Sequence, residues 1–222
     1  MQRQWAVTAG LALLIMAAAA FFSYGYAHGI LVVDGDPQAT FQHLMTSKNL
    51  FTGEIFGWFV IVLCDLVAAW GLYEFLKPVN SSLSLLGAWF RLIYTALLAL
   101  AVMNLLFVQL LLDSSVHPGA SEEQVMLYLN AFESMWSMGL ILFGVHLAII
   151  GRLTLQSGFI PKWIGVLLLA ASAGYISIHL SSLLFAELKG FISLLTYVFT
   201  LPMAAGELGL AIWLVFRGGK KD

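Results

Sequence analysis

Asp65 and Arg91 are charges set into runs so apolar that neither is expected there unless something holds it. They flank the short connector Lys77-Pro78-Val79-Asn80, each about a dozen residues from its middle. If the flanking runs are antiparallel membrane helices rising about 1.5 Å per residue, both charges reach a depth on the order of 18 Å from the turn. Each is then the other's natural partner. An ionisable side chain in a bilayer costs at least about 2.5 to 3.5 kcal/mol on insertion scales, so such residues pair and mark sites. The chemistry open to this pair is proton or ion binding, or recognition of an anionic group by the guanidinium. A salt bridge that merely fixes the hairpin meets the same physical need.

Helical periodicity shows which other polar residues could join them. At 100° per residue, Glu54 and Asp65 differ by about 20° around one helix and lie some 16 Å apart along it. Arg91, Thr95 and Gln109 form a stripe on the next helix, from which Asn104 points away. Asn130, Glu133 and Ser137 share a face, whereas His146 falls about 140° from Glu133 and looks elsewhere. Ser172, Tyr175, His179 and Ser182 line a further stripe, and Thr196, Thr200 and Glu207 align around Pro202, whose missing N–H loosens or kinks its helix. The candidate ligand-binding set is Asp65, Arg91, Glu54, Glu133, His146, Tyr175, His179 and Glu207.

The remaining residue types are read more plainly. His28, His43, His117, His146 and His179 show neither a His-Glu-x-x-His pattern nor i, i+4 pairing, so no metal site is expected and no cofactor is assigned. His146, about 9 Å from the nearer end of its predicted helix, is the first of them to inspect. His43 and His117 are expected outside the hydrocarbon core. Serine, threonine and asparagine stripes suit contacts between helices, and Gly25 and Gly29 suit close helix packing. Cys64 is the only cysteine, which excludes an intramolecular disulfide.

The elements that must position these groups follow from composition. Of 222 residues, 61% are hydrophobic and 10% charged, with a mean hydropathy of +0.93; a soluble domain has roughly 25% charged residues. The chain reads as an all-α polytopic membrane protein, a bundle of six transmembrane helices forming one domain over residues 1–222. Apolar runs of bilayer length place the helices near 5–33, 50–76, 82–112, 124–151, 162–186 and 190–216. The first run is too long for a usual signal core and is expected to be retained. Asp34-Gly35-Asp36-Pro37 reads as a turn, and Ala39 to Asn49 as an interfacial helix. Arg3, Lys77, Arg152, Lys162, Arg217, Lys220 and Lys221 fall on one side if the helices alternate, against Lys48 and Lys189 on the other, so both termini are expected in the cytoplasm. The formal charge of −2, without a basic block, gives no reason to expect nucleic acid as a partner.

The order Asp34-Gly35-Asp36, Ala39-Thr40, Leu50-Phe51, Asp65, Leu72-Tyr73, Lys77-Pro78-Val79-Asn80 and Phe90-Arg91-Leu92 resembles the bacterial integral-membrane family called domain of unknown function 4386 (DUF4386). The resemblance continues through Phe143-Gly144-Val145-His146, Pro161 to Gly165, Gly174-Tyr175, Gly206-Glu207, Trp213-Leu214 and Arg217-Gly218, and so covers nearly the whole chain. His43 departs from it, since asparagine is expected in the Ala-Thr-x-x-Asn element. The resemblance implies a multi-pass protein of the bacterial cytoplasmic membrane and no established activity.

Three functions stay open at this point. The first is binding or transport of a small solute, ion or proton in a polar cavity, for which six helices are few unless a homo-oligomer completes the path. The second is a structural or regulatory membrane subunit. The third is an intramembrane enzyme acting on a lipid-like substrate, with Glu133, His146 or His179 as acid or base. The partners expected are the lipid bilayer and a small solute or lipid-like ligand.

Overall fold

A computed structural model of the protein describes residues 2–113, 119, 121–185 and 187–220, and these are helical with short connections. The described residues form α1 (Gln2–Leu31), α2 (Pro37–Thr46), α3 (Lys48–Leu76), α4 (Ser81–Leu111), α5 (Glu122–Ser157), α6 (Lys162–Leu184) and α7 (Lys189–Phe216). All but α2 are long and apolar enough to cross a membrane, and no sheet occurs among the described residues. The protein is a multi-pass membrane protein. His117 lies outside the described residues.

Each spanning helix packs against the next in the chain, and α7 returns to pack on α1, so the six close into a ring. The short α2 lies at one end of the ring against α1, α3 and α5. Phe21, Trp70, Trp89, Tyr197 and Leu201 point outward and are largely exposed, as lipid-facing side chains are. Charge is hidden instead: Glu54, Asp65, Arg91 and His146 are all buried. Lipid tails are as apolar as leucine, so close packing rather than water exclusion must draw the helices together. Small residues permit it. A Cβ on Gly71 would lie 3.0 Å from both Cβ and the backbone nitrogen of Ala9, so α1 and α3 meet almost backbone to backbone.

Helix ends follow local chemistry. Asp36 accepts the Ala39 N–H at 2.9 Å and Pro37 occupies the first turn, which starts α2. Asn80 accepts the Leu83 N–H at 2.9 Å to start α4. Ser121 and Gln124 cap α5 reciprocally. The expected interfacial helix over 39–49 is shifted, because α2 ends at Thr46 and α3 already begins at Lys48. The larger difference is at α5, expected to stop at residue 151. It continues to Ser157 and stops at Gly158, whose φ of +72° only glycine adopts without strain. The polar residues beyond Gly151 end the apolar run there without ending the helix.

Arg3 ties the two termini together. Its guanidinium donates to the carbonyl oxygens of Leu214 at 3.1 Å, Val215 at 2.5 Å and Gly218 at 2.9 Å. Leu214 and Val215 are among the acceptors that the C-terminal end of α7 leaves without helical donors, and Gly218 lies just beyond it. The end of the ring holding both termini is the terminal end, and the end holding α2 is the distal end.

Candidate functional site

Helix rise explains which charges meet. Asp65 precedes the end of α3 by 11 residues, Arg91 follows the start of α4 by 10, and His146 precedes the end of α5 by 11. At about 1.5 Å per residue all three lie some 15–17 Å from the terminal-side ends of their helices. The Arg91 guanidinium donates to Asp65 Oδ1 at 2.5 Å and to His146 Nε2 at 3.2 Å. His146 Nδ1 lies 2.8 Å from the Gly87 carbonyl and acts as the donor there, which leaves Nε2 as an acceptor toward Arg91. Asp65 Oδ2 and Arg91 Nε have no protein partner. The Phe143 ring lies 5.5 Å from the Arg91 guanidinium carbon and covers the cluster.

The pairing of Asp65 with Arg91 is as the sequence suggested, and His146, a candidate that the sequence placed on a different side from Glu133 and nearer its helix end, joins the pair. With α5 extended to Ser157, His146 is about 16 Å from the helix end rather than 9 Å, level with the pair. Its face differs from that of Glu133 because α5 presents different sides to the interior at different depths. Glu54 shares a side of α3 with Asp65 yet joins another cluster.

That second cluster is built on His28. Its Nδ1 lies 2.7 Å from Glu54 Oε1 and its Nε2 3.2 Å from Glu133 Oε1, so one imidazole bridges two carboxylates. His28 comes from a stretch of α1, Phe21–His28, wound as a π-helix. The wider turn buries Ser23, Ala27 and His28, and Tyr24 stacks on His28 with centroids 5.3 Å apart. Gly25 and Gly29, expected to seat a neighbouring helix, do not: Gly29 has open space where a Cβ would be, and both glycines line a cavity. A third grouping pairs the Tyr175 hydroxyl, as donor, with Glu207 Oε1 at 2.7 Å. A fourth sets Ser137 Oγ 2.9 Å from His179 Nδ1.

Around these groups the interior is hollow. A central cavity of about 610 Å³ is lined by Tyr24, Trp58, Tyr94, Trp136, Phe143 and Tyr175, together with Glu133, Ser137, His179 and Glu207. A second space of about 700 Å³ reaches from Asp34 and Gly35 at the distal end inward to His28, and shares Tyr24 and Glu133 with the first. Behind Phe143 and Glu207, a space of about 10 Å³ touches Arg91 and His146, close to the least volume that holds one water. The two larger spaces meet at Tyr24 and Glu133, and Phe143 and Glu207 stand between the central cavity and the charge cluster.

Of the candidate residues, Glu133, Tyr175, His179 and Glu207 face the central cavity, Arg91 and His146 border the small space behind Phe143 and Glu207 with Asp65 bonded to Arg91, and Glu54 supports His28 where the two larger spaces meet. Thr196 and Thr200 do not share the face of Glu207: they are exposed and donate back to Ile192 and Thr196 of their own helix. No residue of α7 before Pro202 is fully buried, so a stripe extrapolated across that proline leaves the interior. Asn104 is buried between α4 and α5, donating to Ala101 O at 3.1 Å and meeting Met135 Sδ at 3.3 Å. Sequence reasoning missed His28, whose only signal was an aromatic run ending in histidine. It also missed the role of Trp58 and Trp136, whose centroids are 4.9 Å apart at the cavity wall. No group of three metal-ligating side chains occurs among the described residues.

The family model described as domain of unknown function (DUF4386) matches residues 8–218. An uncharacterized protein of the archaeon Archaeoglobus fulgidus is 34% identical over 166 residues, spanning 75% of this chain and 84% of its own length. That relative is archaeal, so the likenesses do not restrict the chain to bacteria as the resemblance implied. No solved structure matches the chain.

Proposed function

The chain belongs to the DUF4386 family, and on that premise we propose that it is a single six-helix domain that binds, and passes or senses, a small solute, ion or proton in its central cavity. The observation that carries this reading is the central cavity, which shares Tyr24 and Glu133 with the space that opens at Asp34 and is divided only by Phe143 and Glu207 from the small space beside Arg91 and His146. A pair needed only to hold α3 against α4 calls for no lined cavity beside it. The volume of about 610 Å³ falls within the roughly 300–1,000 Å³ usual for small-molecule sites. Trp58 Nε1 is buried without a protein partner at the cavity wall, and such a donor is satisfied by a ligand or by water. The positive residues at the terminal end support cytoplasmic termini, so the mouth near Asp34 opens to the far side of the cytoplasmic membrane.

Cysteine accessibility tests this. In a Cys64→Ala background, Asn130→Cys at the mouth and Ser134→Cys in the cavity should react with a membrane-impermeant thiosulfonate added to intact cells, and Ser172→Cys should not. Failure of Asn130→Cys and Ser134→Cys to react even in detergent would mean the interior is dry and would defeat the proposal. Labelling only from inverted vesicles would reverse the orientation.

The distance between Ser137 and His179 favours a second reading, hydrolysis of a lipid-like substrate. Against it, Ser137 lies within α5, where the nearby N–H groups are engaged in the helix and cannot form an oxyanion hole.

A further inference from the structure

Every charged group along the cavity path can be assigned a partner except one kind. Arg91 is bound by Asp65, and His28 is shared by Glu54 and Glu133. One imidazole cannot balance two carboxylates, and Asp34 adds a further acidic group at the mouth. Deeper in, Glu207 receives only the Tyr175 hydroxyl, and among the described residues no lysine, arginine or histidine lies within 4.0 Å of it. The path is thus acidic from Asp34 through Glu133 to Glu207.

The walls between the two inner carboxylates are aromatic. Tyr24 and Trp136 meet edge to face at 4.7 Å, Trp136 and Trp58 at 4.9 Å, and Phe143 and Tyr175 at 5.2 Å. Aromatic faces attract cations through the ring quadrupole, and the effect grows when the cation is desolvated. Ile61, Leu140 and Met203 supply apolar wall beside them. An inorganic cation would leave such walls without use, and an anion would meet Glu133 and Glu207 before reaching Arg91.

From this arrangement we infer that the cavity selects an organic cation, an amine or quaternary ammonium with an apolar body, whose charge sits beside Glu207 and whose body lies against Trp58 and Trp136. The inference rests on the ligand-site reading given above and adds the class of ligand. Tyr175 then acts as a positioning residue, holding one Glu207 oxygen so that the other faces the cation.

The test compares three probes of one shape on the purified protein in nanodiscs. They are trimethyl(phenethyl)ammonium, its neutral carbon isostere (3,3-dimethylbutyl)benzene, and phenethylsulfonate, read by tryptophan fluorescence and calorimetry. The cation should bind saturably and at least about tenfold tighter than either of the others. Glu207→Gln should lose about tenfold for the cation and leave the neutral probe unchanged. If Glu207→Gln does not fold, the comparison of probes on the unaltered protein decides alone. Equal binding of cation and neutral isostere, or preference for the sulfonate, overturns the inference while leaving a ligand cavity in place. Absence of saturable binding by all three overturns the cation inference as well, and the cysteine labelling then decides whether the cavity itself stands.

Discussion

Removing one member of the Asp65, Arg91 and His146 cluster should have unequal consequences that follow from its wiring. Arg91 is 1% exposed and Asp65 0%, so neither can recover water when its partner is lost. Breaking a buried ion pair from one side costs about 3–5 kcal/mol. Asp65→Asn leaves Arg91 still bonded to His146 and is expected near the lower figure. Arg91→Gln strands the Asp65 carboxylate and also takes away the donor to His146, and is expected near the upper one. At about 2–4 °C per kcal/mol for a chain of this size, the two variants should melt roughly 6–12 °C and 10–20 °C below the parent. The assay is thermal unfolding in detergent micelles followed by tryptophan fluorescence, with size-exclusion profiles to confirm monodispersity. The double variant should cost about 2 kcal/mol or more less than the sum of the singles, because the second substitution removes a group already stranded. Additivity within about 0.5 kcal/mol would mean that Asp65 and Arg91 are not coupled, since independent sites behave that way.

Arg3→Gln should lose the three carbonyl contacts at the end of α7, destabilising by about 1.5–3 kcal/mol and speeding amide exchange around residues 214–218 while leaving the cavity unchanged. Protection that matches the parent would exclude the capping role. Gly71→Ala should force α1 from α3 and cost about 1–3 kcal/mol as overpacking does, whereas Gly29→Ala, with open space at that position, should be nearly neutral; equal effects of the two on melting temperature would contradict the packing described. A fluorophosphonate should fail to label Ser137, and adduct formation at that residue by mass spectrometry would move the enzymatic reading to first place.

The six spans were legible because bilayer thickness imposes a length on each apolar run, and the Asp65 and Arg91 pairing because equal distance from one turn fixes equal depth. The extension of α5 carried a signal in Gly158 followed by Pro161, a stop placed after residue 151. Counting from that stop would have brought His146 level with Arg91. His28 was less accessible to sequence reasoning, since the π-helical turns shift the register on which a 100° count depends. The contact between Ser137 and His179 depends on how α5 crosses α6, and the cavity depends on all the spanning helices at once. Hydrophobic periodicity carries little of that in a membrane, where every face of a helix is apolar and only the sparse polar residues betray the interior.

A density map of the protein in lipid nanodiscs, at a resolution that shows ordered water, decides whether the interior is a ligand cavity. The space bounded by Trp58, Trp136 and Glu207 should hold its volume and contain water or ligand density continuous with the Asp34 surface, while the Asp65, Arg91 and His146 cluster stays sealed behind Phe143. A dry interior in which Leu183 and Met203 have closed onto Trp136, with no path from the distal surface, would contradict the account and leave the buried charges as scaffold alone.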